Sequence, residues 1–147
     1  MNKAKLLMPV LALVTTCVAL AHVTVSPKES GAGATQKYTL RVPNEKAVPN
    51  VRVEAEFPAA AEVVSVQDAT GWKLDLTKDG SGRITGAVWT GNLEAKGIAE
   101  LSFSAKNPKE GTKLVWKVVQ VYQDGSKSQW TGEQGTKNPA PTTTINP

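Results

Sequence analysis

Residues with soft or redox-active side chains are almost missing from this sequence. Among its 147 residues there are one cysteine, Cys17, two methionines, Met1 and Met8, and one histidine, His22. Downstream of His22 the chain therefore has no residues for a disulfide, a cysteine-based zinc site or the cysteine, histidine and methionine site of blue copper proteins. A Ser–His–Asp triad could use only His22, because the chain has no other histidine. Because no nucleophile and acid–base pair has convincing spacing, we predict that the protein is not an enzyme.

A concentrated basic region is also missing. The formal net charge is +4 and the pI is about 9.2, but Lys3 and Lys5 lie in a segment that we expect to be removed. The remaining lysines are scattered, without a basic run or the interleaved aromatic residues that nucleic-acid binding uses. We interpret them as a solvated surface and expect no nucleic-acid partner.

The first 21 residues have the three parts of a secretory signal peptide. Residues 1–5 are positively charged, residues 6–20 are mostly apolar, and Ala19 and Ala21 are small residues at the positions that a signal peptidase reads. The sequence predicts cleavage after Ala21 and a periplasmic mature protein that begins at His22. We expect no stable membrane insertion after this cleavage.

Two other interpretations of this segment are less favoured. An uncleaved membrane anchor would need roughly 20 clean apolar residues, whereas Pro9 and the pair at residues 15–16 interrupt the run. A lipid anchor on Cys17 would follow Thr16, which is bulkier than the small residue usual before a lipidated cysteine.

Beyond residue 36 the pattern is typical of short β-strands. Over residues 51–57 one face carries only apolar side chains and the other only charged ones, as one half-buried face of an antiparallel sheet requires. The apolar face is Val51, Val53, Ala55 and Phe57, and the charged face is Arg52, Glu54 and Glu56. Turn-forming residues at 78–82 and 124–125 separate such stretches and indicate hairpins. The predicted strands cover residues 22–25, 36–42, 51–57, 62–66, 72–76, 83–90, 98–105, 113–122 and 127–131.

This pattern predicts an all-β fold, namely an immunoglobulin-like or cupredoxin-like β-sandwich of about eight or nine short strands. A closed barrel is the alternative. We assign the sandwich to residues 22–132. Residues 133–147 are rich in glycine, threonine, asparagine and proline, and the sequence predicts a flexible C-terminal tail there.

The candidate metal ligand is His22. As the first residue of a mature chain it would chelate one ion through its α-amine and its imidazole Nδ1, and an α-amine has a pKa of only about 7.7–8.0. Two nitrogens on one side of the ion suit Cu(II), and Zn(II) or Ni(II) less strongly. Glu29 is a candidate carboxylate ligand, although its position alone favours an ordinary surface acid. For His22 a frayed terminal residue is an equally good interpretation on position alone.

The four tryptophans have different surroundings in the sequence. Trp116 alternates in register with apolar neighbours, and Trp72 and Trp89 also indicate core or sheet-edge packing. Trp130 has polar or small neighbours, so it is a candidate for an exposed lid over a site. Burial of Trp130 between sheets is the alternative.

Several short motifs together resemble one known family. The motifs are residues 22–29, residues 41–45, the Gly–Trp pair at residues 71–72, Trp89 with Gly91, and residues 122–125 followed by 130–132. Together they are similar to the YcnI-like family of exported copper-binding proteins. The similarity covers nearly the whole of residues 22–132.

The resemblance implies a β-sandwich that binds one Cu(II) ion through a mono-histidine brace, which is the α-amine and side chain of the first residue. It also implies a glutamate and a tryptophan at that site, which by position would be Glu29 and Trp130. The implied cofactor is Cu(II), and the implied partners are the copper ion and a copper chaperone, importer or oxidase.

With this resemblance the sequence predicts an exported protein for copper buffering or delivery, with His22, Glu29 and Trp130 at the metal. One rival is a copper oxygenase, but such enzymes complete the brace with a second histidine that this chain lacks. The other rival is a metal-free extracytoplasmic β-sandwich that serves as an interaction module.

Overall fold

The computed structural model describes residues 21–147, which form twelve β-strands and no helix. The predicted signal peptide, apart from Ala21, lies outside the described residues. Within residues 21–147 there is accordingly no helix of the length and apolar character that crossing a membrane requires. The strands are β1 (Thr24–Ser26), β2 (Glu29–Gly31), β3 (Thr35–Pro43), β4 (Asn50–Glu56), β5 (Glu62–Val66), β6 (Lys73–Lys78), β7 (Ile84–Leu93), β8 (Ile98–Lys106), β9 (Thr112–Val115), β10 (Lys117–Tyr122), β11 (Lys127–Trp130) and β12 (Thr142–Asn146).

Nine of these strands form one antiparallel sheet in the order β1-β3-β8-β5-β7-β4-β10-β11, with β6 paired to β7. Strand β5 runs beside β8 but meets β7 at a single pair, Val63 opposite Ile84. This short link joins two halves of the sheet, whose apolar faces pack on one core. The predicted all-β sandwich is therefore confirmed, and each of the nine predicted strands overlaps an observed one.

The centre of the core is a cluster of aromatic rings from both halves of the sheet. The ring centroid of Phe103 lies 4.7 Å from that of Phe57 and 5.0 Å from that of Trp116, and Tyr38 lies 4.8 Å from Trp116. Trp116 and Trp89 are buried, as their alternation predicts. Burial of four large rings removes several hundred Å² of apolar surface from water, which is the main stabilising contribution of this layer.

The predicted strand over residues 113–122 is divided into two at Trp116. Strand β9 belongs to a second sheet of three strands, in the order β2-β12-β9, whereas β10 belongs to the large sheet. The backbone N–H of Trp116 donates to the carbonyl of Pro141, and its indole N–H donates to Thr143 Oγ1. The chain therefore changes sheets at the residue whose side chain fills the space between them.

The predicted flexible tail over residues 133–147 differs from the structure. Its last part is strand β12, which pairs in parallel with β2 and in antiparallel with β9. Thr143 and Ile145 are buried on one face of β12, while Thr144 is exposed. The composition suggested disorder, but two buried side chains and two strand partners order this segment.

Candidate metal site at His22

His22 lies immediately before β1, at the edge of the large sheet. Thr24 pairs with Arg41 and Val25 with Leu40, so the same register continued by two residues places His22 opposite Pro43. Val23 and Val25 point into the core, and the side chain of His22 is exposed. A short apolar alternation therefore fixes the start of the chain and leaves the imidazole at the surface.

Trp130, the last residue of β11, is the aromatic partner of His22. The two ring centroids are 5.5 Å apart and the ring planes are inclined at 54°. Trp130 is only 8% exposed, so burial, and not an exposed lid, describes its position. The structure thus brings together His22 and Trp130, two of the three residues predicted for the site, which are 108 positions apart in the chain.

A buried polar network lies beneath the indole of Trp130. Its Nε1–H donates to Oε1 of Gln120 at 2.8 Å, and Nε2 of Gln120 donates to the carbonyl of Pro43 at 2.9 Å and to Oδ1 of Asn50 at 3.1 Å. Asn50 in turn donates to the carbonyls of Arg52 and Val121, both at 2.9 Å. Every polar atom of the two amide side chains is satisfied in a region without access to water.

A cavity of about 210 Å³ opens beside His22. One wall is residues 22–25 with Lys28, and the other is Gln134 with residues 139–142. A hydrogen bond joins the two ends of the loop from residue 134 to residue 140, because Gln134 Nε2 donates to the carbonyl of Ala140 at 2.9 Å. The segment between β11 and β12 therefore forms part of the surroundings of the histidine.

Glu29 lies apart from these residues in the structure. It is exposed on β2, where it pairs with Thr144 of β12, and it does not line the cavity beside His22. Over residues 21–147 there is also no group of three or more His, Cys, Asp or Glu side chains arranged to hold a metal ion. The described geometry thus does not join Glu29 to His22.

A different carboxylate, Glu45, lies at the same end of the sheet as His22. It follows by two residues Pro43, which the β1–β3 register places opposite His22. The pKa of the Tyr122 hydroxyl is raised, and burial is the largest cause. The hydrogen bond to Ser128 lowers this pKa, and the nearby charge of Glu45 raises it further. The sequence motif at residues 41–45 contained this glutamate, but strand periodicity cannot position a residue in a loop.

Comparison with known proteins identifies the family of this chain. Residues 22–145 match the family model described as "Domain of unknown function (DUF1775)". The chain belongs to this family. It is also 35% identical over 132 residues to "Copper-binding protein CutI" of Bacillus subtilis (strain 168). That alignment covers 88% of this chain and 65% of the relative, so the chain spans slightly less than two thirds of CutI. The family resemblance predicted from the sequence is confirmed.

Solved structures share the fold. A protein from Nocardia farcinica, described as having an immunoglobulin-like fold, superposes with a TM-score of 0.73 at 20% identity, over 86% of this chain and 99% of that one. A non-cellulosomal cohesin from Archaeoglobus fulgidus superposes with a TM-score of 0.54 at 13% identity, over 86% of this chain and 91% of its own. At these identities the likeness concerns the β-sandwich alone.

Proposed function

We propose that this DUF1775 protein is an exported Cu(II)-binding protein that buffers or delivers copper in the periplasm. In the proposed site, cleavage after Ala21 frees the α-amine of His22, and this amine and the imidazole hold the ion. The observation that carries the proposal is the packing of the single histidine against Trp130, at the surface of a satisfied buried network. The name of the relative CutI supports copper as the metal.

The chemistry of the available donors fits Cu(II). Imidazole and amine nitrogens suit the tetragonal geometry of this ion, and residues 22–147 offer no thiolate or thioether for Cu(I). The protein would therefore release copper on reduction, as a delivery role requires. Because the amine must lose its proton to bind, the Cu(II) affinity falls as the pH falls below the amine pKa of about 7.7–8.0.

Trp130 would contribute its ring face and not a nitrogen ligand. Its Nε1–H already donates to Gln120, and an indole nitrogen has no lone pair free in the ring plane. The ring would cover one side of the ion and exclude water, with a cation–π attraction of the kind that aromatic faces give to cations. This arrangement does not provide a second histidine, which separates the proposal from a copper oxygenase.

For the carboxylate ligand, the geometry favours Glu45 over Glu29. Neither carboxylate lines the cavity beside His22. Glu45 follows by two residues Pro43, which the register places opposite His22, whereas Glu29 pairs with β12 on the second sheet. A carboxylate beside the two nitrogens would neutralise part of the Cu(II) charge and complete an N₂O donor set.

A Cu(II) titration of the mature chain and four variants, followed by tryptophan fluorescence and by metal analysis after desalting, tests the proposal. We expect one tightly held copper per chain, lost in His22→Ala and retained in Thr24→Ala, a control on the same cavity wall. Because a charged ligand is replaced by a neutral amide, Glu45→Gln should lower the affinity by roughly 10-fold or more, and Glu29→Gln should not.

The opposite results decide against the proposal in different ways. Equal copper retention by wild type and His22→Ala would show that His22 does not hold the ion. No retention by either protein would leave a metal-free interaction module as the function. A larger loss in Glu29→Gln than in Glu45→Gln would return the carboxylate ligand to Glu29.

A further inference from the structure

Gln120 lies at the centre of the buried network, and two residues next to it, Trp130 and Pro43, also lie next to His22. Its side chain is fully buried on β10 and contacts both Trp130 at the end of β11 and Pro43 at the end of β3. Trp130 packs on His22, and Pro43 lies opposite His22 in the β1–β3 register. A single amide therefore joins the two structural elements that flank the histidine.

The direction of every hydrogen bond in this network is determined. The indole of Trp130 can only donate, so Gln120 must present its oxygen to it. The Gln120 amide nitrogen then faces two oxygens, the carbonyl of Pro43 and Oδ1 of Asn50. Asn50 must in turn direct its nitrogen to the carbonyls of Arg52 and Val121. No flipped amide satisfies all five contacts, so the network has one arrangement.

Other side chains cannot replace Gln120 without loss. Leucine would leave both the Trp130 N–H and the Pro43 carbonyl without a partner in a dry environment. A glutamate would keep the acceptor for Trp130, but as a carboxylate it would direct an unpaired charge at the Pro43 carbonyl. Asparagine is one methylene shorter and cannot span the same distance.

We propose that Gln120 is a positioning residue that fixes the indole of Trp130 and the end of β3 around His22 before the metal binds. This inference rests on the proposed Cu(II) site, which Gln120 does not touch. By using the indole N–H, Gln120 holds the ring in one orientation toward the histidine. A residue that orients the groups around an ion in this way raises the affinity for the metal without being a ligand itself.

The first part of the test needs no copper. The apo protein gives one indole N–H resonance for each of its four tryptophans in a nitrogen–proton correlation spectrum, and His22 ring protons report the ring current of Trp130. We expect Gln120→Leu to shift the Trp130 indole resonance and the His22 ring signals while leaving the Trp116 resonance in place. If the leucine variant does not fold, Gln120→Met, an unbranched side chain of similar length, removes the same amide and supplies the same information.

Thr143→Val is the matched control. Thr143 Oγ1 accepts the indole N–H of Trp116 at 3.1 Å, a buried bond of the same kind on the second sheet. This variant should shift the Trp116 resonance alone and leave the His22 signals unchanged.

The second part measures Cu(II) affinity and the EPR spectrum of the same variants in their folded form. We expect a roughly 10-fold weaker affinity and altered copper hyperfine values for Gln120→Leu, with wild-type values for Thr143→Val. A folded Gln120→Leu with wild-type His22 signals and a wild-type copper spectrum would overturn the positioning role. If the wild type bound no Cu(II), the proposed function would fail, whereas the apo spectra would still decide whether Gln120 orients Trp130.

Discussion

At the scale of single residues, the site combines an exposed histidine with a buried tryptophan. His22 is held at the surface because Val23 and Val25 beside it are buried, and Trp130 is held beneath it by the hydrogen bond to Gln120. Because Gln120 and Trp130 are both buried, the indole is a rigid surface against which the exposed His22 packs. Such a surface reduces the ordering that metal binding would otherwise require.

The position of Glu45 can be checked through Tyr122 without any metal. The carboxylate of Glu45 opposes formation of a tyrosinate at Tyr122, and this raises the pKa of the hydroxyl in addition to the effect of burial. Glu45→Gln removes that charge, so the Tyr122 pKa should fall toward its ordinary value of about 10. An ultraviolet absorbance titration of tyrosinate formation measures this shift.

Tyr122→Phe identifies which of the two tyrosine transitions belongs to Tyr122, because Tyr38 is the other tyrosine of the chain. Glu29→Gln is the control and should leave both transitions unchanged. An unaltered Tyr122 transition in Glu45→Gln would show that the carboxylate is far from β10, and would remove the argument that places it at the His22 end of the sheet.

At the scale of elements, alternation predicted the strands that have one apolar and one polar face. Strands β8 and β10 carry buried residues at every second position. In β4 the alternation begins only at Val53, and Val51 is half-buried, because the pairing with β7 shifts register between Asn50 and Arg52. Strands β2 and β12 were missed, since β2 has three residues and β12 is rich in threonine within a proline-containing segment. These two strands are held in place by pairing with each other, and a local sequence pattern cannot predict such long-range pairing.

The same limit applies to the site. The signal-peptide pattern and the resemblance pointed to His22 and Trp130, and the structure brings these two together. The alternation of β10 is consistent with an inward-facing Gln120, but no local pattern identifies the atoms that its amide contacts. Its role depends on atoms of Pro43 and Asn50, which are 77 and 70 residues away along the chain.

Strand β12 should contribute to the stability of the whole domain. Ile145 is 2% exposed in the core cluster, so Ile145→Ala would leave a cavity and lower the free energy of unfolding by about 2–5 kcal/mol. Thr144→Ala, on the exposed face of the same strand, should change it by less than about 0.5 kcal/mol. Urea unfolding of both variants measures the difference. Similar small losses in the two variants would mean that the segment is a flexible tail, as its composition suggested.

At the scale of the molecule, the sandwich brings together residues that are distant in the sequence. The sheet order places the start of β1 beside the end of β3, and the β4–β10–β11 half supplies Asn50, Gln120 and Trp130. The sandwich is shared with the Nocardia protein and the Archaeoglobus cohesin, and a fold by itself specifies no ligand. In this chain the proposed function depends on where the mature protein begins.

The most direct test of that claim compares Cu(II) binding by two preparations using EPR. One begins at His22, verified by intact mass, and the other has one additional alanine before it, which converts the α-amine of His22 into an amide while every side chain remains. The account predicts one tight copper with nitrogen hyperfine structure in the first preparation and its loss in the second. Equal binding by both, or binding by neither, would contradict it.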